Sequence, residues 1–305
     1  MQDHPDQLAQ FGTTPTPVGD SSPYAGMVVA LATQHSKQDV IAPPFLRTLE
    51  SVVVVPSAID TDALGTFTGE IPRHGTPTEV CERKARLGLA ATGHVLAVAS
   101  EGSYGPHPAV PFVAVGREVM VFVDTERDLT ITETLETLDT NFIGARCVSH
   151  IDDAGSWLRQ IRYPSHGVIV RPNTSSDVSV ITKKGVQADH ELSAAISVAA
   201  SQSADGLARL EPDMRAHMNP TRMRAIGELA EQLVERLATP CPVCHSPGFG
   251  KTSVAHGLPC ELCLAPTELV DHEIHACGLC DYSTRVPRSD GLQHAASRDC
   301  HACNP

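Results

Sequence analysis

The tightest constraint on this chain is where its cysteines fall. Eight of the ten lie between Cys241 and Cys303, all in C-x-x-C pairs: Cys241/Cys244, Cys260/Cys263, Cys277/Cys280 and Cys300/Cys303. A C-x-x-C turn aims two thiols at one point, and four thiolates in a tetrahedron make a closed zinc shell with no open catalytic position. In a reducing compartment such pairs hold metal rather than disulfides. Two structural Zn2+ ions are therefore expected. The gaps of 15 residues between the first two pairs and 19 between the last two both suit a four-cysteine site. That spacing reads as two sequential zinc ribbons. A crossed arrangement, first pair with third and second with fourth, satisfies the same chemistry and stays open. Iron–sulfur suits the even pairing with intervening strands less well. His245, His275 and His301 are left as spectators. The segment 239–305 is short of large apolar residues, so its metals are expected to supply its folding energy.

Charge narrows the partners. The net charge is −13, which opposes non-specific binding to nucleic acid or to an anionic membrane. The cysteine-rich segment itself carries seven acidic against four basic residues, so a phosphate-tracking role is disfavoured there and docking of a protein partner through the ribbons is the alternative. GFGKT at 248–252 resembles the end of a phosphate-binding P-loop. It fails the test, because His245 stands where the first glycine should be and a zinc knuckle precedes it instead of a strand. No apolar run is long enough for a membrane span and no signal-peptide pattern opens the chain, so a cytoplasmic protein is expected.

Three regions follow: a disordered tail at 1–25, rich in Pro, Gly, Ser and Thr, an α/β domain at 26–238, and the zinc module at 239–305. In the α/β domain the compact apolar runs Met27–Ala32, Val52–Val55, Val95–Ala99 and Val119–Val123 read as buried strands. Val168–Val170 and Val178–Ile181 read as two more, with Lys183 and Lys184 beyond. The strand–loop–helix–strand opening predicts a mixed, mostly parallel sheet with helices on its faces. Pro43-Pro44 should disturb the first helix. Thr76-Pro77-Thr78-Glu79 is a capping box opening a helix that runs to about Ala91 and ends at Gly93. Asn219-Pro220 opens another, whose Met223, Ile226, Leu229, Leu233 and Leu237 recur at helical spacing. Trp157 and Cys147 read as packing residues.

Candidate ligand groups gather at strand ends, where α/β sheets bind ligands. Ser100, Glu101, Ser103, Tyr104 and His107 follow the strand Val95–Ala99, in a polar loop spaced by glycines. Thr33 and Lys37 follow the first strand, at a helix start that suits phosphate or carboxylate. Asp213, Arg215 and His217 alternate, so an extended backbone would turn all three to one side. Arg222 lies in the first turn of the last helix, where positive charge opposes the dipole and an anion would relieve it.

Two resemblances join these pieces. GTFTGEIPR, ASEGSYGPHP, DMRAHMNPTRM, CPVCHSPGF, GLPCELC and CHACNP, in that order, resemble a bacterial family known as domain of unknown function 6671. That resemblance covers almost the whole chain and implies no activity. Over 27–225, ALATQHSKQDV, TEVCERKAR, VASEGS and DMRAHMNPTRMRAI are similar to segments of the inosine-triphosphate pyrophosphatase (Ham1-like) superfamily. This second likeness implies an elongated α/β fold with a central cleft, and hydrolysis of nucleoside triphosphates with Mg2+ or Mn2+. It implies that Thr33, Lys37 and Lys84 face phosphates, that Glu79 and Glu101 hold the metal or activate water, and that Arg215 and His217 lie near the base. His35, Val40 and Val80 depart from the pattern, and a single Glu101 stands where the superfamily has paired aspartates. Two readings result: a phosphometabolite or nucleotide hydrolase with a zinc-stapled module, and a non-catalytic ligand-binding adaptor.

Overall fold

The computed structural model describes residues 22–57, 59, 74–174 and 180–305. Strands β1 (Val28–Leu31) and β2 (Val52–Val54) flank helix α1 (Gln38–Leu49). Helix α2 (Pro77–Thr92) leads into the long strands β3 (Leu96–Pro106), β4 (Ala114–Asp124) and β5 (Leu129–Thr137). They form one sheet in the order β2-β1-β3-β4-β5. The β2, β1 and β3 strands are parallel, whereas β3–β4 and β4–β5 are antiparallel. The sheet is thus mixed with flanking helices, but not mostly parallel. The reason is connection length. A parallel return needs a crossover of about a dozen residues, and only seven separate β3 from β4 and four separate β4 from β5.

The α2 capping box forms as expected, with Thr76 accepting from the Glu79 N–H and Gly93 closing the far end in the left-handed conformation. Helix α1 runs unbroken through Pro43 and Pro44, contrary to expectation. Its face of Ile41, Pro44, Phe45 and Leu49 is buried, and that packing outweighs the backbone hydrogen bonds the prolines cannot donate.

Alternation along the strands divides the core. Val29, Leu31, Leu96, Val98, Met120 and Phe122 pack against α1 and against α5 (Pro220–Ala238) through Ile226, Leu229, Leu233 and Leu237. On the opposite face Ala30, Ala97, Ala99, Val119 and Val121 pack against Cys81 and Ala85 of α2. The alanines let α2 lie close, and a Cβ added at its Gly88 would already touch Ala30 at 3.5 Å.

A second, antiparallel sheet follows in the order β6-β9-β7-β8 (Arg146–Val148, Ala208–Pro212, Val168–Pro172, Lys183–Val186). Helices α3 (Gly155–Gln160) and α4 (Asp189–Ser201) cover it, and Trp157, Leu158, Leu192 and Ile196 fill its core. Cys147, expected as a packing residue, is exposed. The strand expected at Val178–Ile181 lies partly outside the described residues, and Lys183 and Lys184 belong to β8 itself.

The tail expected over 1–25 falls outside the described residues up to 21. Tyr24, at its end, is instead fully buried, its ring edge-on to Phe122 at 5.2 Å. Removing a buried aromatic leaves a cavity, so Tyr24→Ala should cost about 3–5 kcal/mol in urea unfolding. An unchanged midpoint would contradict its place in the core.

Candidate functional site

Strands β10 (Gly250–His256), β11 (Val270–Ala276) and β12 (Ser283–Pro287) form an antiparallel meander. A C-x-x-C turn precedes or follows each strand. Cys241, Cys244, Cys277 and Cys280 gather in one cluster, and Cys260, Cys263, Cys300 and Cys303 in a second. The pairing is crossed, not sequential. Each strand carries the chain to the other end of the small sheet, so the first and third turns share one end and the second and fourth share the other.

The geometry fits a tetrahedral ion. The Cys241–Cys280 and Cys244–Cys277 sulfurs lie 3.7 and 3.6 Å apart, and Cys260–Cys303 and Cys263–Cys300 lie 3.9 and 3.6 Å apart. Zn–S bonds of about 2.3 Å at tetrahedral angles put neighbouring sulfurs about 3.8 Å apart. Backbone N–H groups of Cys263 and Leu262 aimed at Cys260 hold its thiol down to about 7, which favours the thiolate a metal needs. The first two knuckles are near copies. The amide of Cys241 donates to Ser246 and that of Cys260 to Ala265, and His245 and Leu264 both take positive φ. His245, His275 and His301 belong to neither cluster.

The first centre is seated on the α/β domain. A Cβ on Gly278 or Gly248 would meet Leu129 or Ile131 of β5 at 2.6–2.7 Å, so only bare backbone fits there. Arg236, near the end of α5, donates to the Gly248 carbonyl at 3.1 Å and pairs with Glu133 at 2.6 Å.

A second constellation lies where β1 stops. The pairing of β1 with β3 ends at Leu31 and Val98, and β3 continues to Pro106. The expected polar loop after Ala99 is therefore strand, hydrogen-bonded to β4 throughout. Beyond β1, the edge of β3 is met by the segment that enters α1. Lys37 Nζ donates to the Ser100 carbonyl at 2.9 Å and to Ser100 Oγ at 3.0 Å. It is 7% exposed and makes no close ion pair among the described residues, with the Glu101 and Glu118 carboxylates acting on it from farther away. Burial, then the Arg222 charge, pull its pKa from 10.5 down to about 8. The α1 start has no side-chain cap, and its Asp39 and Val40 N–H groups donate to the Ser36 and Lys37 carbonyls instead.

Strand alternation separates the two carboxylates beside it. Glu101 turns to the α2 side and pairs with Lys84 at 2.6 Å, both buried. Glu118, opposite Gly102 in the ladder, turns to the α5 side and pairs with Arg222 at 2.7 Å, both about 1% exposed. Tyr104 O–H also donates to Glu118 at 2.6 Å. A Cβ on Gly102 would lie 2.4 Å from the Glu118 carboxylate and 2.6 Å from Arg222 Nη2, so glycine there makes room for the pair. At the mouth, His35 stacks on His217 with centroids 4.9 Å apart. Burial and the neighbouring cations hold His35 down at about 3, and burial and Arg215 lower His217. Both rings are neutral near pH 7.

Not every expected residue joins this group. Thr33 is nearly buried beside it, its hydroxyl accepting from the His35 amide. Glu79 is the exposed end of the capping box, its carboxylate accepting from the Thr76 amide and hydroxyl. Asp213, Arg215 and His217 do not form one extended face. Residues 216–218 make a 3-10 turn, and Asp213 holds Arg215 at 2.6 Å. His107 caps its own turn, its Nδ1 accepting from the Ala109 amide, and Ser103 is half-buried on β3. Sequence reasoning passed over Glu118 entirely. A lone Glu inside VGREVMVFV was the available signal, since a charge in a buried strand needs a partner.

Fold and donor set together define an α/β protein carrying two four-cysteine clusters, each able to hold a metal ion, on a three-stranded appendage. The chain belongs to the family described as domain of unknown function (DUF6671), whose model matches residues 84–305. No curated protein matches it. Among the described residues no helix is long and apolar enough to cross a membrane.

Arg222→Met would strand the buried Glu118 charge and should cost about 3–5 kcal/mol in denaturant unfolding, whereas Glu118→Leu with Arg222→Met should recover most of that loss. Equal losses in the single and double variants would contradict the pairing.

Proposed function

We propose that the α/β domain binds a small phosphorylated ligand in the notch beyond β1, and that the two four-cysteine sites hold structural zinc. The observation that carries the ligand reading is Lys37. Its buried ammonium is held by Ser100 and has the Glu101 and Glu118 carboxylates only at longer range than an ion pair, and it sits at a helix start without a side-chain cap, beyond the end of β1. Oxyanions satisfy both features at once. The order of β1, α1, α2 and β3 agrees with the pyrophosphatase likeness and supports the same place for the ligand.

The likeness also implied magnesium-assisted hydrolysis. The described carboxylates do not fit that ion. Glu101 and Glu118 lie on opposite faces of the sheet, each closed by its own cation, and Glu79 is engaged at a helix cap. Magnesium needs carboxylates turned to one point beside the phosphates. The proposed function is therefore binding, with no reaction step assigned.

Lys37 gives the reading a pH signature. Its folded pKa, about 8 against 10.5, means the folded chain releases a proton that the unfolded chain keeps. Lys37 should therefore contribute stability that rises with pH between about 8 and 10.5, against the opposite contribution of the buried Cys81 thiol. Affinity for a phosphorylated ligand should fall over the same range, because the bound anion needs the charged ammonium. Lys37→Met should remove this contribution, read as the difference between the wild-type and variant stability curves, and lower affinity at least tenfold in calorimetric titrations. Binding that is as tight in Lys37→Met as in wild type would contradict the proposal.

A further inference from the structure

A buried histidine joins the second sheet to α5. His166 lies just before β7 and is 4% exposed. Its ring reaches Thr221, in the first turn of α5. The hydrogen bonds around it fix where its proton sits. Ser165 Oγ donates to the Arg162 carbonyl at 2.6 Å, so toward His166 Nδ1, 2.9 Å away, it can only accept. Nδ1 therefore carries the proton. A neutral imidazole has one such proton, which leaves Nε2 as an acceptor. Two donors face it, the Thr221 hydroxyl at 2.9 Å and the Thr221 amide at 3.4 Å. The amide can do nothing but donate, so both ends of the ring give the same tautomer. Arg162 Nη1 donates to the Thr221 hydroxyl oxygen at 2.6 Å and leaves its proton for Nε2.

The imidazole thus acts as a cap. It accepts one of the amides that a helix start leaves without a partner, as Asn219 accepts the Arg222 amide. A second proton would reverse this. Nε2–H would point at the Thr221 N–H, the buried Thr221 hydroxyl proton would lose its acceptor, and a positive charge would stand at the positive end of the helix. The charged groups around the ring do not offset that cost. Arg162 and Arg224 oppose a further charge, and Asp139, which favours one, already pairs with both of them.

We infer that His166 is a pH-sensitive latch: neutral, with its proton on Nδ1, it holds the second sheet to the start of α5, and protonation of Nε2 releases that hold. Burial, then the Arg162 charge, keep the imidazole below its ordinary 6.5. The unfolded chain takes up a proton that the folded chain resists. The latch's contribution to stability is therefore full above about pH 6.5 and is lost as pH falls toward the lower folded value.

Imidazole 1H–15N NMR of the full, zinc-loaded chain tests the latch without any variant. Near neutral pH the His166 ring should show a protonated Nδ1 and a bare Nε2, the reverse of the tautomer that histidine favours in water. On acidification the Thr221 amide should lose its protection from hydrogen exchange as the His166 ring titrates, while the Leu229 and Leu233 amides farther along α5 keep theirs. His166→Gln offers an acceptor that does not titrate. Between about pH 7 and 5 its thermal midpoint should fall less than that of wild type. The other histidines and the cysteine clusters are common to both chains and cancel in the comparison. A proton on Nε2 near neutral pH would overturn the latch. So would Thr221 protection that is lost only together with the rest of α5, or equal falls of the midpoint in the two chains.

Discussion

An antiparallel strand delivers the chain to the end opposite the one it left, and the C-terminal module depends on that fact. With a C-x-x-C turn at each end of three successive strands, the first and third turns must share one end and the second and fourth the other. Metal held at the two clusters would close the meander at both ends, joining Cys241 to Cys280 and Cys260 to Cys303. The small sheet has little apolar core of its own, so this closure would fix its shape. It also shapes the α/β domain's outer edge, because the knuckle around Gly248 and Gly278 covers Leu129 and Ile131 of β5. Without that cover, two core side chains of the large sheet would meet water.

The same period-two logic organises the other site. Along β3, Ser100 and Gly102 turn toward α1 and α5, and Glu101 turns toward α2. Glu101 and Glu118, neighbours across the β3–β4 ladder, are thereby sorted onto different faces and neutralised by different helices. Lys37 escapes this sorting because it enters from the loop after β1, where the sheet has already ended on one side. Its ammonium is held there by the Ser100 carbonyl and hydroxyl. The neutral histidine stack beside it adds no further repulsion.

Much of this was legible in the residues. The helix caps at Thr76 and Asn219, the apolar stripe of α5, the strand runs and the eight paired cysteines follow from local chemistry, and local chemistry is what a sequence displays. What was hidden depends on distant partners. Spacing alone cannot separate crossed from sequential pairing, since both give four thiolates per site, and only the direction of the intervening strands decides. Ser100–Pro106 read as a loop because its glycines and hydroxyls mimic turn chemistry. Its partner strand β4 supplies the ladder, and Gly102 is there for the Glu118–Arg222 pair. Glu118 itself was invisible until Arg222, 104 positions away, was brought against it.

The crossed metal pairing is tested most directly by counting zinc in two doubly substituted chains. Cys241→Ser with Cys277→Ser removes two ligands from one crossed site and should leave one zinc per chain. Cys241→Ser with Cys260→Ser damages both sites and should leave none. The reverse result, none in the first and one in the second, would mean sequential ribbons and would contradict the crossed closure of the meander.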